Sequence, residues 1–253
     1  MTAATPRWGR LSAWGAGLAV LAAVALLLGR ALSAISFDAP LMVVTSGAEE
    51  EGVLGILRAI EGATYGDPTR IPFVASYYNW LFFETFAGLA GGAVALFGLD
   101  VAWVPTAGRF VALAATAATL ALAWALTARA VGPAAAPSLR WHARFVAVWL
   151  ALGPLVGWWA LSLNPELSAT ALTLAAVLAV LKAEDGGGAR LGWFALAGLC
   201  AAAAWGFKQS YLFAPVAVAL FCVARRAWGG LALFALVTGL GVALPVLLGS
   251  PAY

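Results

Sequence analysis

Seven runs of almost unbroken apolar residues, at 11–29, 107–128, 143–162, 165–181, 191–206, 209–224 and 230–249, limit what this chain can fold into. Each is roughly 16 to 22 residues long, and a helix of ~20 residues rises ~30 Å, the depth of a bilayer's hydrocarbon core. Strands of a membrane barrel would alternate in polarity over ~10 residues, whereas stretches such as 112–118 and 172–181 show no alternation. With 64% hydrophobic residues, 10% charged residues and a mean hydropathy of +0.95, the chain has too little polar surface to stay dispersed in water. The sequence therefore predicts an all-α, polytopic membrane helix bundle of about seven transmembrane helices, forming one module over residues 1–253.

Several classes of function are closed off. Arg7 and Arg10 precede the run at 11–29 as they would in a signal peptide, but no small-x-small cleavage site follows, so the run reads as a retained first helix. Cys200 and Cys222 lie inside apolar runs, where free cysteine behaves as a small apolar residue, and indicate neither a disulfide framework nor a metal cluster. The single histidine, His142, stands between Arg140 and Arg144 in a predicted loop and reads as solvated, leaving no zinc site. No Walker A or dinucleotide fingerprint occurs, and the net charge of +3 is scattered over loops, so neither a nucleotide nor nucleic acid is expected as a partner.

Sidedness turns on an eighth apolar run, residues 80–98. If it crossed with the N-terminus inside, only Arg7, Arg10, Arg109 and Lys208 would lie on the inner side, against the tendency of inner loops to be basic. If it lies in the interface, nine of the fourteen basic residues fall inside: Arg7, Arg10, Arg129, Arg140, Arg144, Lys182, Arg190, Arg225 and Arg226. Its composition favours the interface, with Gly88, Gly91, Gly92 and Glu84 within it and the amphipathic cluster Tyr77-Tyr78-Asn79-Trp80 at its start. The expected layout is a first span at 11–29, an outer loop over 36–105 with juxtamembrane helices at about 49–61 and 79–98, and the remaining spans over 107–249.

That outer loop is where chemistry is expected, because seven of the chain's eleven carboxylates fall within it between Asp38 and Glu84. Thr45-Ser46-Gly47 supplies capping chemistry for a short amphipathic helix over 49–60 with Val53, Ile56, Leu57 and Ile60 on one face, which puts Glu49, Glu50 and Glu51 in its first turn. Repulsion among three adjacent carboxylates and partial desolvation favour a raised pKa in one of them, as a general base needs, although an acidic first turn is also ordinary helix-start chemistry. Glu166 follows Pro165 at another helix start, with the same two readings. Lys208 lies at a membrane boundary, where it either snorkels to headgroups or meets a phosphate-bearing ligand in an acid-lined cavity, with Arg58 and Arg70 as further candidates for the latter duty. Tyr65-Gly66-Asp67-Pro68 is a turn signature that accounts for Asp67 on its own. The inner turn at 182–190 is Gly-rich and expected to be flexible.

The order of these features resembles the GT-C superfamily of polyprenyl-phosphate-sugar-dependent membrane glycosyltransferases, including its bacterial dolichyl-phosphate-mannose-protein-mannosyltransferase-like and RgtA/B/C/D-like branches. Glu49-Glu50-Glu51-Gly52-Val53, followed by Gly62-Ala63-Thr64-Tyr65-Gly66-Asp67, is similar to the family's Asp-Glu-Gly and Gly-x-x-Tyr-x-Asp pattern. Tyr77-Tyr78-Asn79-Trp80 resembles its aromatic lead into the second juxtamembrane helix. Asn164-Pro165-Glu166 matches the position of a second acidic motif, and Phe207-Lys208-Gln209-Ser210 resembles a Lys-Gln turn further on. The likeness spans about residues 10 to 225, with Glu standing at 50 and 166 where the family usually has Asp.

What the resemblance implies is transfer of a sugar from a polyprenyl-phosphate carrier to a lipid, glycan or protein hydroxyl, at the outer face of a bacterial cytoplasmic membrane and with inversion of the anomeric centre. Glu50 or a neighbour would be the base, and Glu166 would orient the acceptor or a divalent cation. Lys208, with Arg58 or Arg70, would neutralise the leaving phosphate, while Asp67 and Tyr78 would bind substrate. A non-catalytic scaffold, lipid-binding or transport protein on the same fold is the rival expectation.

Overall fold

The structure is a computed structural model; it describes residues 47–64, 78–132, 134–152, 162–186, 188 and 190–248, together with individual positions between 11 and 32, all of them helical. Among the described residues there are helices and turns and no strand. We number the elements from residue 47: α1 (Gly47–Ile60), α2 (Trp80–Leu96, with a π-helical turn at Ala87–Gly91), α3 (Val104–Val131), α4 (Pro137–Leu152), α5 (Glu166–Glu184), α6 (Arg190–Phe207), α7 (Phe213–Ala224) and α8 (Trp228–Leu248).

Among the described residues, four stretches are long and apolar enough to cross a membrane: Val101–Val131, Glu166–Glu184, Arg190–Phe207 and Trp228–Leu247. The bundle is thus the helical membrane type read from the sequence, although seven spans are not what the described residues contain. The run at 209–224 begins its helix only at Phe213 and gives 12 residues, a rise of ~18 Å and too little to span. Residues 208–212 are spent on a turn, in which the Tyr211 N–H bonds the Lys208 carbonyl at 3.0 Å. The run at 143–162 starts early, at Pro137, and its portion at 153–161 lies outside the described residues. α3 is longer than predicted because Asp100 caps a 3₁₀ turn at Val101–Trp103, accepting from the Ala102 N–H at 2.8 Å, and Pro105 in the first turn suits the helix start.

Side-chain bonds fix how the helices run. The first residue of α5, Glu166, meets Lys208 just past the end of α6, whereas Glu184 at the other end of α5 meets Arg190 at the start of α6 and Arg225 just past α7. α3 runs parallel to α5, because Thr119 donates to the Leu167 carbonyl at 3.0 Å and Arg129 to the Leu181 carbonyl at 2.8 Å. The bundle therefore has a Glu166 end and an Arg129 end. α2 begins at the Glu166 end, where Asn79 Nδ2 donates to the Trp205 carbonyl at 2.6 Å, and it leads through Leu99 and Asp100 into the start of α3 at that same end. It does not pass from one end to the other.

Two apolar cores match the two ends. At the Glu166 end, Phe83 and Phe86 of α2 flank Phe82 at tilted angles, with ring centroids 5.1 and 4.8 Å away, and the three pack with Ile56, Val104, Leu163 and Phe207. At the Arg129 end, Ala176, Ala179 and Ala183 of α5 meet Ala197 and Ala201 of α6, together with Phe194, Val218, Cys222 and Phe234. Small side chains let these helices approach closely, which is how apolar helices gain packing where no water drives them together. Cys200 and Cys222 are both free thiols, as the sequence indicates.

Candidate functional site

The acidic helix α1 is seated by two glycines. A Cβ on Gly52 would overlap the Leu163 carbonyl oxygen, and one on Gly55 would overlap the Phe83 ring. Their absence lets the α1 backbone lie directly on the segment before α5 and on α2. At ~100° per residue this contact spreads the three glutamates over different faces. Glu49 turns inward and is wholly buried, Glu50 is exposed, and Glu51 is half-buried. The buried stripe runs Glu49, Gly52, Ile56, Ala59, so the face predicted from Val53, Ile56, Leu57 and Ile60 is rotated, with Ile60 40% exposed.

A carboxylate with no solvent contact needs a partner, and Glu49 has one that sequence reading missed. Arg109 of α3, itself fully buried, donates from Nε to Glu49 Oε1 at 2.9 Å and from Nη2 to Oε2 at 3.0 Å. This two-pronged match of guanidinium to carboxylate is the strongest geometry such a pair has. The Leu163 N–H also points to Glu49 Oε1 at 3.4 Å. Glu49 is thus held in a structural tie between α1, α3 and the segment before α5. A signal for Arg109 was present: a cation within an apolar run requires an acid somewhere.

Beside that tie lies a half-buried polar cluster. Asn164, buried, accepts from the Tyr78 hydroxyl at 2.7 Å and donates to Ser162 Oγ at 3.0 Å. Lys208 Nζ bonds Glu166 Oε1 and stands 5.7 Å from the centroid of the Tyr78 ring. Glu166 Oε2 is buried without a hydrogen-bond partner among the described residues, so half of that carboxylate is still available to accept. Tyr211 closes the far side: its hydroxyl shares a 3.0 Å bond with Thr170 and donates to the Glu166 carbonyl at 3.0 Å. Burial, and then the negative charges of Glu166 and Glu51, hold the Tyr78 phenol well above its ordinary pKa, so Tyr78 stays a proton donor at physiological pH. Burial likewise raises that of Tyr211, against the opposing effect of its bond to Thr170.

Of the residues singled out from the sequence, Glu51, Tyr78, Asn164, Glu166 and Lys208 are brought to one end of the bundle and into one another's electrostatic range. Glu49 joins them only as the partner of Arg109, and Glu50 points away. Arg58 lies two turns along α1 from Glu51 and makes no side-chain bond to the cluster, while Asp67 and Arg70 lie outside the described residues. Comparison with protein-family models, with curated proteins and with solved structures returned no match.

Among the described residues no group of three or more His, Cys, Asp or Glu side chains is placed to hold a metal ion. Glu166, expected from the resemblance to orient either the acceptor or a divalent cation, has one oxygen on Lys208, and Glu49 has both on Arg109. Among the described residues the donor set does not fit a bound cation. The residues flanking the Gly-rich turn at the Arg129 end are ion-paired. Arg129 grips Asp185 at 2.6 Å, which holds that carboxyl below its usual range, and Glu184 takes both Arg190 and Arg225. His142 is exposed, its Nδ1 at 2.7 Å from the Ser138 carbonyl.

Proposed function

We propose that the Glu166 end is the active side of a membrane glycosyltransferase that moves a sugar from a polyprenyl-phosphate carrier to an acceptor hydroxyl, on the outer face of a bacterial cytoplasmic membrane. The observation that carries this reading is the meeting of Glu51, Tyr78, Asn164, Glu166 and Lys208 at one end of apolar helices, from elements up to 157 positions apart in the chain. Packing alone does not require a lysine, two carboxylates and a phenol in a half-buried place, because burying each charge has a desolvation cost. A ligand that carries both a phosphate and hydroxyls has use for all of them.

In this mechanism Glu51 accepts the proton of the acceptor hydroxyl as its oxygen forms a bond to the anomeric carbon. The bond from that carbon to the carrier's phosphate oxygen breaks, and the phosphate leaves with the electron pair. Lys208 turns from Glu166 Oε1 toward the phosphate and neutralises its growing charge, an interaction worth more in a poorly hydrated site than in water. Glu166, through Oε2, and Tyr78 hold sugar or acceptor hydroxyls, and the carrier's tail lies along the apolar helices. Inversion at the anomeric carbon follows from a single displacement.

The test is transfer of radiolabelled sugar in membranes. Glu51→Gln is expected to lower turnover by about 10²-fold or more, the usual contribution of a general base. Glu50→Gln, whose side chain faces away, is expected to stay near wild type. Undiminished turnover in both would remove this mechanism. The second reading, a non-catalytic scaffold, is favoured by the fact that Glu49 and Glu166 each have an internal cation. It predicts no transfer with any carrier, and stability losses in place of rate losses when the cluster is mutated.

A further inference from the structure

At the Arg129 end, the ion pairs among the described residues leave Arg140, Arg144 and Arg226 over, and the first two stand together on one helix. From residue 101 onward the chain has three carboxylates, Glu166, Glu184 and Asp185, and the last two are taken by Arg190, Arg225 and Arg129. Arg140 and Arg144 of α4 have no carboxylate among the described residues, yet stand four positions apart on one helix face, where like charges repel. An arrangement that costs stability in the free protein is relieved when an anion sits between or beside the two.

The surroundings of Arg144 select the anion. Its guanidinium carbon lies 4.6 Å from the centroid of Trp124 and 5.6 Å from that of Trp141, and its Nε is enclosed without a hydrogen-bond partner. The two indoles, themselves edge to face at 6.3 Å, fix the plane of the arginine and leave its other N–H groups to find an acceptor. The same two tryptophans form one wall of a cleft of about 500 Å³ whose other wall is Trp14, Leu18 and Leu21 of the first helical segment. An apolar cleft bordered by an oriented arginine, at the end of membrane-length helices, matches a molecule with a hydrocarbon chain and an anionic head.

We propose that this cleft binds one anionic phospholipid, an acyl chain lying between the first helical segment and Trp124 and Trp141, and the phosphate held by Arg144 with Arg140 adding charge. The site is at the opposite end of the bundle from the Glu166 cluster and does not depend on what that cluster does. Phosphate groups suit guanidinium because two N–H bonds form in parallel, and the two flanking indoles reduce the entropy that a free arginine would lose.

The experiment is native mass spectrometry of the full chain released from detergent, with phosphatidylglycerol and phosphatidylcholine of identical palmitoyl and oleoyl chains, and inorganic phosphate as a third arm. Phosphatidylglycerol is expected to stay bound, phosphatidylcholine to be lost at lower collision energy, and inorganic phosphate not to compete. Arg144→Gln is expected to weaken phosphatidylglycerol by about fivefold, the worth of one cation at a lipid surface. Arg225→Gln, at the same end but engaged with Glu184, should leave it unchanged. Equal retention of the two lipids, equal loss in both variants, or displacement by inorganic phosphate would overturn the proposal. Should Arg144→Gln fail to fold, the wild-type contrast between the two lipids, and its loss as salt is raised, decides on its own.

Discussion

Arg109 and Glu49 face each other through two parallel hydrogen bonds at 2.9 and 3.0 Å, with neither side chain exposed to solvent. Sixty positions apart in the chain, they join the acidic helix α1 to the longest apolar helix of the bundle. Breaking one half of a buried pair strands the other charge, which costs about 3–5 kcal/mol, whereas replacing both with apolar groups of similar volume is close to neutral. Glu49→Leu and Arg109→Met are therefore each expected to lower the temperature at which the purified protein stays monodisperse, and the double substitution to recover most of the loss. The check is size-exclusion chromatography after stepwise heating; additive losses would contradict the pairing.

The seat of α1 makes a steric prediction. Gly52→Ala and Gly55→Ala force a methyl group into the Leu163 backbone and the Phe83 ring, and overpacking of this kind costs about 1–3 kcal/mol. Gly92→Ala, on the exposed face of α2 with nothing near its Cβ, is expected to be neutral or to gain about 0.5–1 kcal/mol by restricting the unfolded chain. The same heating series reads all three.

Tyr78 gives a pH signature. An unperturbed phenol titrates near 10, and this one is held higher by burial and by the charges of Glu166 and Glu51. A group whose folded pKa exceeds its unfolded value supports folding fully below the unfolded pKa and loses that support as pH climbs toward the folded value. Stability should therefore begin to fall above pH ~10, and Tyr78→Phe should flatten that part of the curve. Tyrosinate absorbance followed with pH is expected to lose one late-titrating phenol in the variant, with Tyr211 remaining as another.

Lys208 separates function from structure. Lys208→Met leaves Glu166 without its cation and, on the proposed mechanism, removes the charge that meets the leaving phosphate, for a loss of about 10²–10³ in sugar transfer. Lys208→Arg keeps the charge and should retain more activity than Met at the same position. Equal transfer by wild type and Lys208→Met, measured with labelled donor in membranes, would assign the lysine to a structural tie alone.

How much of this was legible beforehand depended on the range of the interactions. The helical class, the free thiols and the gathering of Asn164, Glu166 and Lys208 at one end follow from hydropathy and from counting hairpins, which are local or additive properties. The fate of each glutamate in the triplet was not legible, because it depends on how α1 is rotated, and the contacts of Gly52 with Leu163 and Gly55 with Phe83 set that rotation from far along the chain. In the sequence Arg109 is one more positive charge bearing on sidedness; its role as a buried partner appears only when α1 and α3 are brought together. The shortness of α7 likewise has a distant cause, since the turn at 208–212 places Tyr211 against Thr170 and Glu166.

α5 is a helix of 19 residues, ~28 Å long, fastened near both of its tips: Glu166 to Lys208 at one, and Asp185, just past its last turn, to Arg129 at the other. A rod clamped in this way has little freedom to slide. Any axial slip that loosens one clamp must shift the other by the same amount, so the two ends of the bundle share a single mechanical register.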